Sequence, residues 1–163
     1  MINYPKVVEY IKSKKTLMYT VKYSNKILTL INFVSYPAFL AVAWYLRAEK
    51  LLWYVLFPAI SFVALSAFRH LYNAPRPYEK FLFEPIGKSN AKSGKSFPSR
   101  HVFSAFIIGF MIFDFYMPIG VVFLVFAFLL GVIRVVSGIH FVKDVICGAT
   151  IALLSYVIML VLI

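Results

Sequence analysis

The chain has 163 residues, 62% of them hydrophobic, with a mean hydropathy of +0.84. Soluble domains rarely exceed about half apolar residues, so the composition excludes an ordinary water-soluble enzyme and points to a multi-pass protein of the cell membrane. The net charge of +11 comes from 17 Lys+Arg against 6 Asp+Glu, and these basic residues flank apolar spans without any nucleic-acid motif. Nucleic acid is therefore set aside, and anionic membrane lipids or a phosphorylated substrate account for the charge.

Residues 1–26 carry six lysines among Val7, Val8, Tyr10, Ile11, Leu17, Met18 and Val21. Placing Lys14 and Lys15 at mid-membrane costs about 3 kcal/mol each, which predicts an interfacial amphipathic helix over 1–26 rather than a span. Lys12, Lys14, Lys15, Lys22 and Lys26 also break the apolar run that a cleavable signal needs. Five apolar segments follow within residues 27–163. The first covers 27–46 and ends at Arg47, Glu49 and Lys50, with Arg47 read as reaching toward headgroups. The second covers 51–68, with Trp44, Tyr45, Trp53 and Tyr54 as an aromatic belt.

A polar loop over 70–98 holds Lys80, Lys88, Lys92 and Lys95, read as a solvated, lipid-attracting stretch, and His70 is read as interfacial. The third segment, 101–116, is short for a hydrocarbon core of about 30 Å, so its ends must be hydrated or sheltered. Asp114 is taken as a marker of its far end. Pro118 marks a turn, the fourth segment covers 119–136, and the fifth covers 145–163.

The segments lack two-residue alternation, so helices rather than a barrel satisfy the backbone in lipid. The predicted fold is a single all-α domain: a polytopic membrane bundle of five transmembrane helices preceded by the amphipathic one, six helices in all. Gly109, Gly131, Gly148 and Ala149 would let helices approach closely. Cys147, the one cysteine, permits no internal disulfide and is read as a buried packing residue.

Ionisable residues stand at the ends of the apolar segments in three clusters. Arg69 and Arg76-Pro77 end the second. Pro98-Ser99-Arg100-His101 opens the third. Arg134, His140 and Asp144 bridge the fourth and fifth. With five spans, all three emerge on one membrane face. Arginine's planar fork suits phosphate oxygens, so several such groups could neutralise a tetrahedral dianion, with Ser99 donating a hydrogen bond. Backbone N–H groups at the start of the third helix can add to them. His140 and Asp144 stand four residues apart, on one face of a helix. A carboxylate on one imidazole nitrogen leaves the other free to attack phosphorus. His101 would then protonate the departing alcohol. The set calls for no metal and no cofactor.

These clusters resemble the tripartite signature of the type-2 phosphatidic acid phosphatase and vanadium haloperoxidase superfamily, in its small bacterial membrane form. The family pattern is Lys, six residues, Arg-Pro; then Pro-Ser-Gly-His; then Ser-Arg, five residues, His, three residues, Asp. All spacings agree over residues 69–144. The resemblance implies a metal-independent phosphatase acting through a phosphohistidine. By position His140 is the nucleophile, Asp144 its orienting group and His101 the acid, while Arg69, Arg76, Ser99 and Arg134 bind phosphate. Arg100 either joins them or faces headgroups. Three residues depart from the pattern: Arg69 for the lysine, Arg100 for the glycine and Ile133 for the serine before Arg134.

Chemistry at the ends of membrane spans suits a lipid substrate such as phosphatidate, phosphatidylglycerophosphate or a polyprenyl (pyro)phosphate. A lipid-phosphate binding or transport element is a second reading and a vanadate-dependent haloperoxidase a third. Sidedness stays open. With five spans, 15 of the 17 Lys+Arg share the active-site face. The positive-inside rule would make that face cytoplasmic. The family resemblance implies the outer face.

Overall fold

A computed structural model describes residues 2–87 and 94–163. Lys88 and Lys92 of the predicted lysine-rich loop lie outside the described residues. The described residues form helices and connecting turns: α1 Tyr4–Ser13, α2 Lys15–Tyr45, α3 Leu51–Tyr72, α4 Pro77–Lys80, α5 Arg100–Phe115, α6 Met117–Val136 and α7 Val142–Leu162. The all-α membrane bundle is thus what the sequence folds into. Among the described residues, four helices (α2, α3, α6 and α7) are long and apolar enough to cross a membrane.

The segmentation differs from expectation at the N-terminus. The break falls at Lys14, whose extended backbone separates α1 from a 31-residue α2. The basic stretch 15–26 therefore continues the first long helix, and only residues 4–13 form the separate amphipathic one. Asn3 caps α1, its Oδ1 accepting from Lys6 N–H at 3.2 Å. The buried face of α1 is Tyr4, Val8 and Ile11. Val8 and Ile11 pack with Val21 and Ile86, and Ile133 and Val136 of α6 close the cluster. Tyr4 stands edge-on to Phe141 at 5.3 Å, and its hydroxyl accepts from Val142 N–H at 3.2 Å. So α1 packs against the end of the bundle. The one-turn α4, led by Pro77, is a further element that the sequence pattern did not distinguish.

Helix α5 is the axis of the bundle. At 16 residues it spans about 24 Å, short of a hydrocarbon core of about 30 Å. Eight of its residues are buried, more than on any other helix, because α2, α3, α6 and α7 all pack against it. Phe103, Ile107 and Met111 form its core with Phe39, Ala43 and Tyr54, and with Ala152 and Met159 of α7. Large side chains such as Phe33, Phe128 and Val161 point outward, as a lipid-facing surface requires. At the far end Asp114 is more than an end-marker. Lys50 Nζ lies 3.1 Å from it and the Tyr54 hydroxyl donates to it at 2.7 Å, tying α3 to α5.

Close approaches set the helix spacing. Gly131 faces Val145, and Gly109 faces Leu124. Gly148 lets α7 come against the start of α5, where an added Cβ would stand 2.7 Å from the Ser99 carbonyl oxygen. Pro118 sits inside the first turn of α6 rather than marking the loop. Cys147 is half-buried on the bundle's flank, not in its core. Replacing Gly148 by Val forces α7 away from Ser99, and we expect a loss of about 1–3 kcal/mol, typical of overpacking. A lower melting temperature in detergent micelles checks this; an unchanged one would refute the close approach.

Candidate active site

All three sequence clusters reach the same end of the bundle. Helix α3 ends at Tyr72, where Asn73 adopts a left-handed conformation (φ 45°) and turns the chain. Arg76 then stands at the N-cap of α4, and Glu79 accepts from its backbone N–H at 2.8 Å. Glu79 also accepts from Gly94 N–H at 2.8 Å, which fixes where the chain returns toward α5. Gly94 itself is left-handed (φ 75°) against the Asn73 side chain, a position with no room for a Cβ.

The returning segment 94–99 is held from both sides. The Arg69 guanidinium donates to the carbonyls of Lys95, Ser96 and Pro98, the Ser96 bond measuring 3.2 Å. Arg76 Nε donates to the Gly94 carbonyl at 3.2 Å. Ser96 N–H donates to Ala74 O and Ser99 N–H to Asp144 O, both at 2.9 Å. Arg69 therefore directs both terminal nitrogens at backbone carbonyls, so its fork grips the loop that presents Ser99.

Asp144 and His140 meet as the helical spacing anticipated, with Asp144 Oδ2 3.3 Å from His140 Nδ1. His140 lies in the turn between α6 and α7, and its backbone N–H donates to Arg134 O at 3.2 Å. Asp144, in the first turn of α7, also accepts from Phe141 N–H at 3.0 Å. Both side chains are buried, His140 at 2% exposure and Asp144 at 0%. Burial pushes the His140 imidazole down to about 4, against the upward pull of the Asp144 hydrogen bond. The ring is then neutral at neutral pH, with Nδ1–H turned to Asp144 and the Nε2 lone pair left free.

Ser96 was not among the residues singled out from the sequence. It is fully buried, its hydroxyl donates to Asp144 Oδ2 at 2.5 Å, and it lies 3.4 Å from His140 Nδ1. A serine in a polar loop carries no periodic signal, so only its position beside Pro98-Ser99 could have drawn notice.

Around the pair, Arg69, Arg76 and Arg134 are buried at 5%, 8% and 8% exposure. Arg134 donates through Nη2 to Thr29 Oγ1 of α2 at 3.1 Å, while its Nε is buried without a protein partner. Ser99 Oγ is likewise buried and unpartnered. These are two hydrogen-bonding groups a bound anion can use. His101, in the first turn of α5, lies within electrostatic reach of Arg134, His140, Arg100 and Arg69. Arg100 stands apart: it is exposed, with its guanidinium 5.8 Å from the centre of the Phe62 ring. His70 is exposed at the end of α3, clear of the cluster.

Comparison with known proteins settles the family. The model of the PAP2 superfamily matches residues 50–163. The chain belongs to the PAP2 superfamily. Among curated relatives, the bacitracin transport permease protein BcrC of Bacillus licheniformis is 34% identical over 119 residues. That match covers 71% of this chain and 59% of BcrC, so the chain spans under two thirds of that relative's length. Two solved structures share the fold. The crystal structure of Aquifex aeolicus LpxE has a TM-score of 0.72 at 23% identity, covering 98% of this chain and 96% of that one. A PAP2-type phosphatidylglycerolphosphate phosphatase from Bacillus subtilis has a TM-score of 0.61 at 19% identity, covering 98% and 91%. This PAP2 chain, with its apolar helices, is a multi-pass protein of the cell membrane.

Removing the Ser96 hydroxyl leaves Asp144 with one donor fewer, so it holds the imidazolium more strongly. The His140 pKa then rises, and in Ser96→Ala the acid limb of kcat should move to higher pH by up to about one unit. A lower kcat with an unmoved limb would mean that the hydroxyl only fills space.

Proposed function

We propose that this chain is an integral membrane lipid phosphatase that transfers the phosphate to His140 and then to water. One observation carries the proposal. Three buried guanidinium groups surround a buried imidazole–carboxylate pair, and Asp144 is the one fully buried carboxylate among the described residues. Buried cations left unbalanced are costly. A phosphate dianion supplies the missing charge and accepts the fork-shaped donors.

In this reading Asp144 holds His140 Nδ1–H, and Nε2 attacks phosphorus. Arg76, Arg134 and the Ser99 hydroxyl stabilise the equatorial oxygens, where charge spreads in the transition state. Arg69 adds its charge while keeping the 95–98 backbone in place. His101, which carries a proton while the phosphate dianion offsets the surrounding cations, gives it to the departing oxygen, then takes one from the water that breaks the phosphorus–nitrogen bond. Inorganic phosphate leaves and both histidines return to their starting states. None of these residues' roles draws on a metal or cofactor.

A lipid substrate is supported by where His101 opens. It lines a cavity of about 490 Å³ between α2, α3, α5 and α6, whose walls include Phe33, Phe62, Ile108 and Leu130. An acyl or prenyl chain can lie there while its phosphate reaches the arginines.

Replacing His140 by Ala should reduce phosphate release from detergent-solubilised lipid phosphates to background. Release at the unaltered rate would sink the mechanism. His101→Ala, which keeps the nucleophile, should slow turnover by roughly 10²–10⁴-fold. Binding of lipid phosphate without release, by the unaltered protein, would favour a transport element, the role named for the Bacillus licheniformis relative.

A further inference from the structure

The cavity beside His101 has a feature that a lipid chain alone does not explain. Arg100 lines it together with His101, and no carboxylate pairs with Arg100 among the described residues. Thr29, Asn32 and Ser104 add polar groups to the same wall. Asn32 is 6% exposed; its Nδ2 donates to Leu28 O at 2.8 Å, while its Oδ1 is buried without a protein partner. A cation without a carboxylate partner therefore faces the space where the group leaving through His101 must lie.

We propose that this cavity is a subsite for a second phosphate, one that stays on the lipid after the reaction, and that Arg100 is its specificity determinant. The inference rests on the phosphatase reading and names the substrate class that reading leaves open. During transfer the bond from His140 Nε2 to phosphorus forms and the bond from phosphorus to the leaving oxygen breaks. That oxygen keeps the electron pair and takes the His101 proton. If the leaving group is a diacylglycerol, nothing beyond this oxygen is charged and Arg100 has no partner. If it is a lipid monophosphate or a phosphodiester-headed lipid, a second anion lies on the Arg100 side, and the planar fork holds it. Because Arg100 is exposed and lines the cavity on the His101 side, whereas Arg69, Arg76 and Arg134 are buried, it acts on the leaving half and not on the transferred phosphate.

The test compares three lipids in detergent: a polyprenyl diphosphate, phosphatidylglycerophosphate, and phosphatidate as the one with an uncharged leaving group. In Arg100→Ala the ratio of kcat/KM on a two-phosphate lipid to that on phosphatidate should fall roughly 10–100-fold, the range expected for losing a charge-assisted hydrogen bond. Arg100→Lys should recover part of it. The lipid whose ratio collapses identifies the source of the second phosphate. A ratio that does not change would overturn the subsite, whether all rates fall together or none does. Equilibrium binding of the products polyprenyl monophosphate and phosphatidylglycerol reads the cavity without turnover. Arg100→Ala should weaken binding of the product of the lipid so identified relative to diacylglycerol, and equal affinities in the two proteins would refute the inference. If the unaltered protein binds these products in an Arg100-dependent way but releases no phosphate, the subsite stands and the phosphatase reading fails.

Discussion

Asp144 receives hydrogen bonds from its own turn and from a loop more than forty residues away. Its Oδ2 meets the Phe141 amide, the Ser96 hydroxyl and His140 Nδ1, and its carbonyl receives the Ser99 amide. A carboxylate with no exposure stays charged only where such donors replace water. The same bonds fix the start of α7, the turn that carries His140 and the loop that leads into α5. Positioning of His140, the proposed nucleophile, and closure of the bundle's end thus depend on one side chain. Gly148 serves the same junction one turn further on, since its missing side chain lets α7 lie against Ser99.

The arginines divide their work by what their planes touch. Arg69 bonds three carbonyls of one loop, an arrangement that suits a flat fork with donors on both terminal nitrogens better than a lysine ammonium. The substitution of arginine for the family's lysine therefore changes the local architecture as well as the reach. Arg134 leaves a nitrogen without a protein partner, and Arg100 turns away toward the lipid-side cavity. Four cations that look alike in the sequence occupy three different environments.

Much of this was legible in the chain of residues. Apolar runs broken by charge locate α3, α5, α6 and α7 to within a few residues, because lipid forces every spanning backbone into helix. The spacing of His140 and Asp144 anticipates their contact, and the parity of the spans anticipates the shared face. What stayed hidden depends on tertiary contacts. Ser96 looks like any loop serine until Asp144 lies beside it. The break at Lys14 has no glycine or proline to mark it, and comes where α1 turns under Ile133 and Val136. Asp114 is an isolated acid in the sequence and a bonded partner of Lys50 and Tyr54 in the fold.

The shortness of α5 has a consequence for the membrane itself. With its Asp114 end seated at one headgroup plane, a helix about 6 Å shorter than the hydrocarbon layer puts its other end, with the Ser99 cap and His101, below the opposite plane unless the layer thins around it. A substrate must therefore sink or the bilayer must yield, and either deformation costs a fraction of a kcal/mol for each ångström of mismatch. Lipid tail length thereby enters the energetics of reaching the site. The surrounding membrane becomes a physical regulator of access, independent of which headgroup the site accepts.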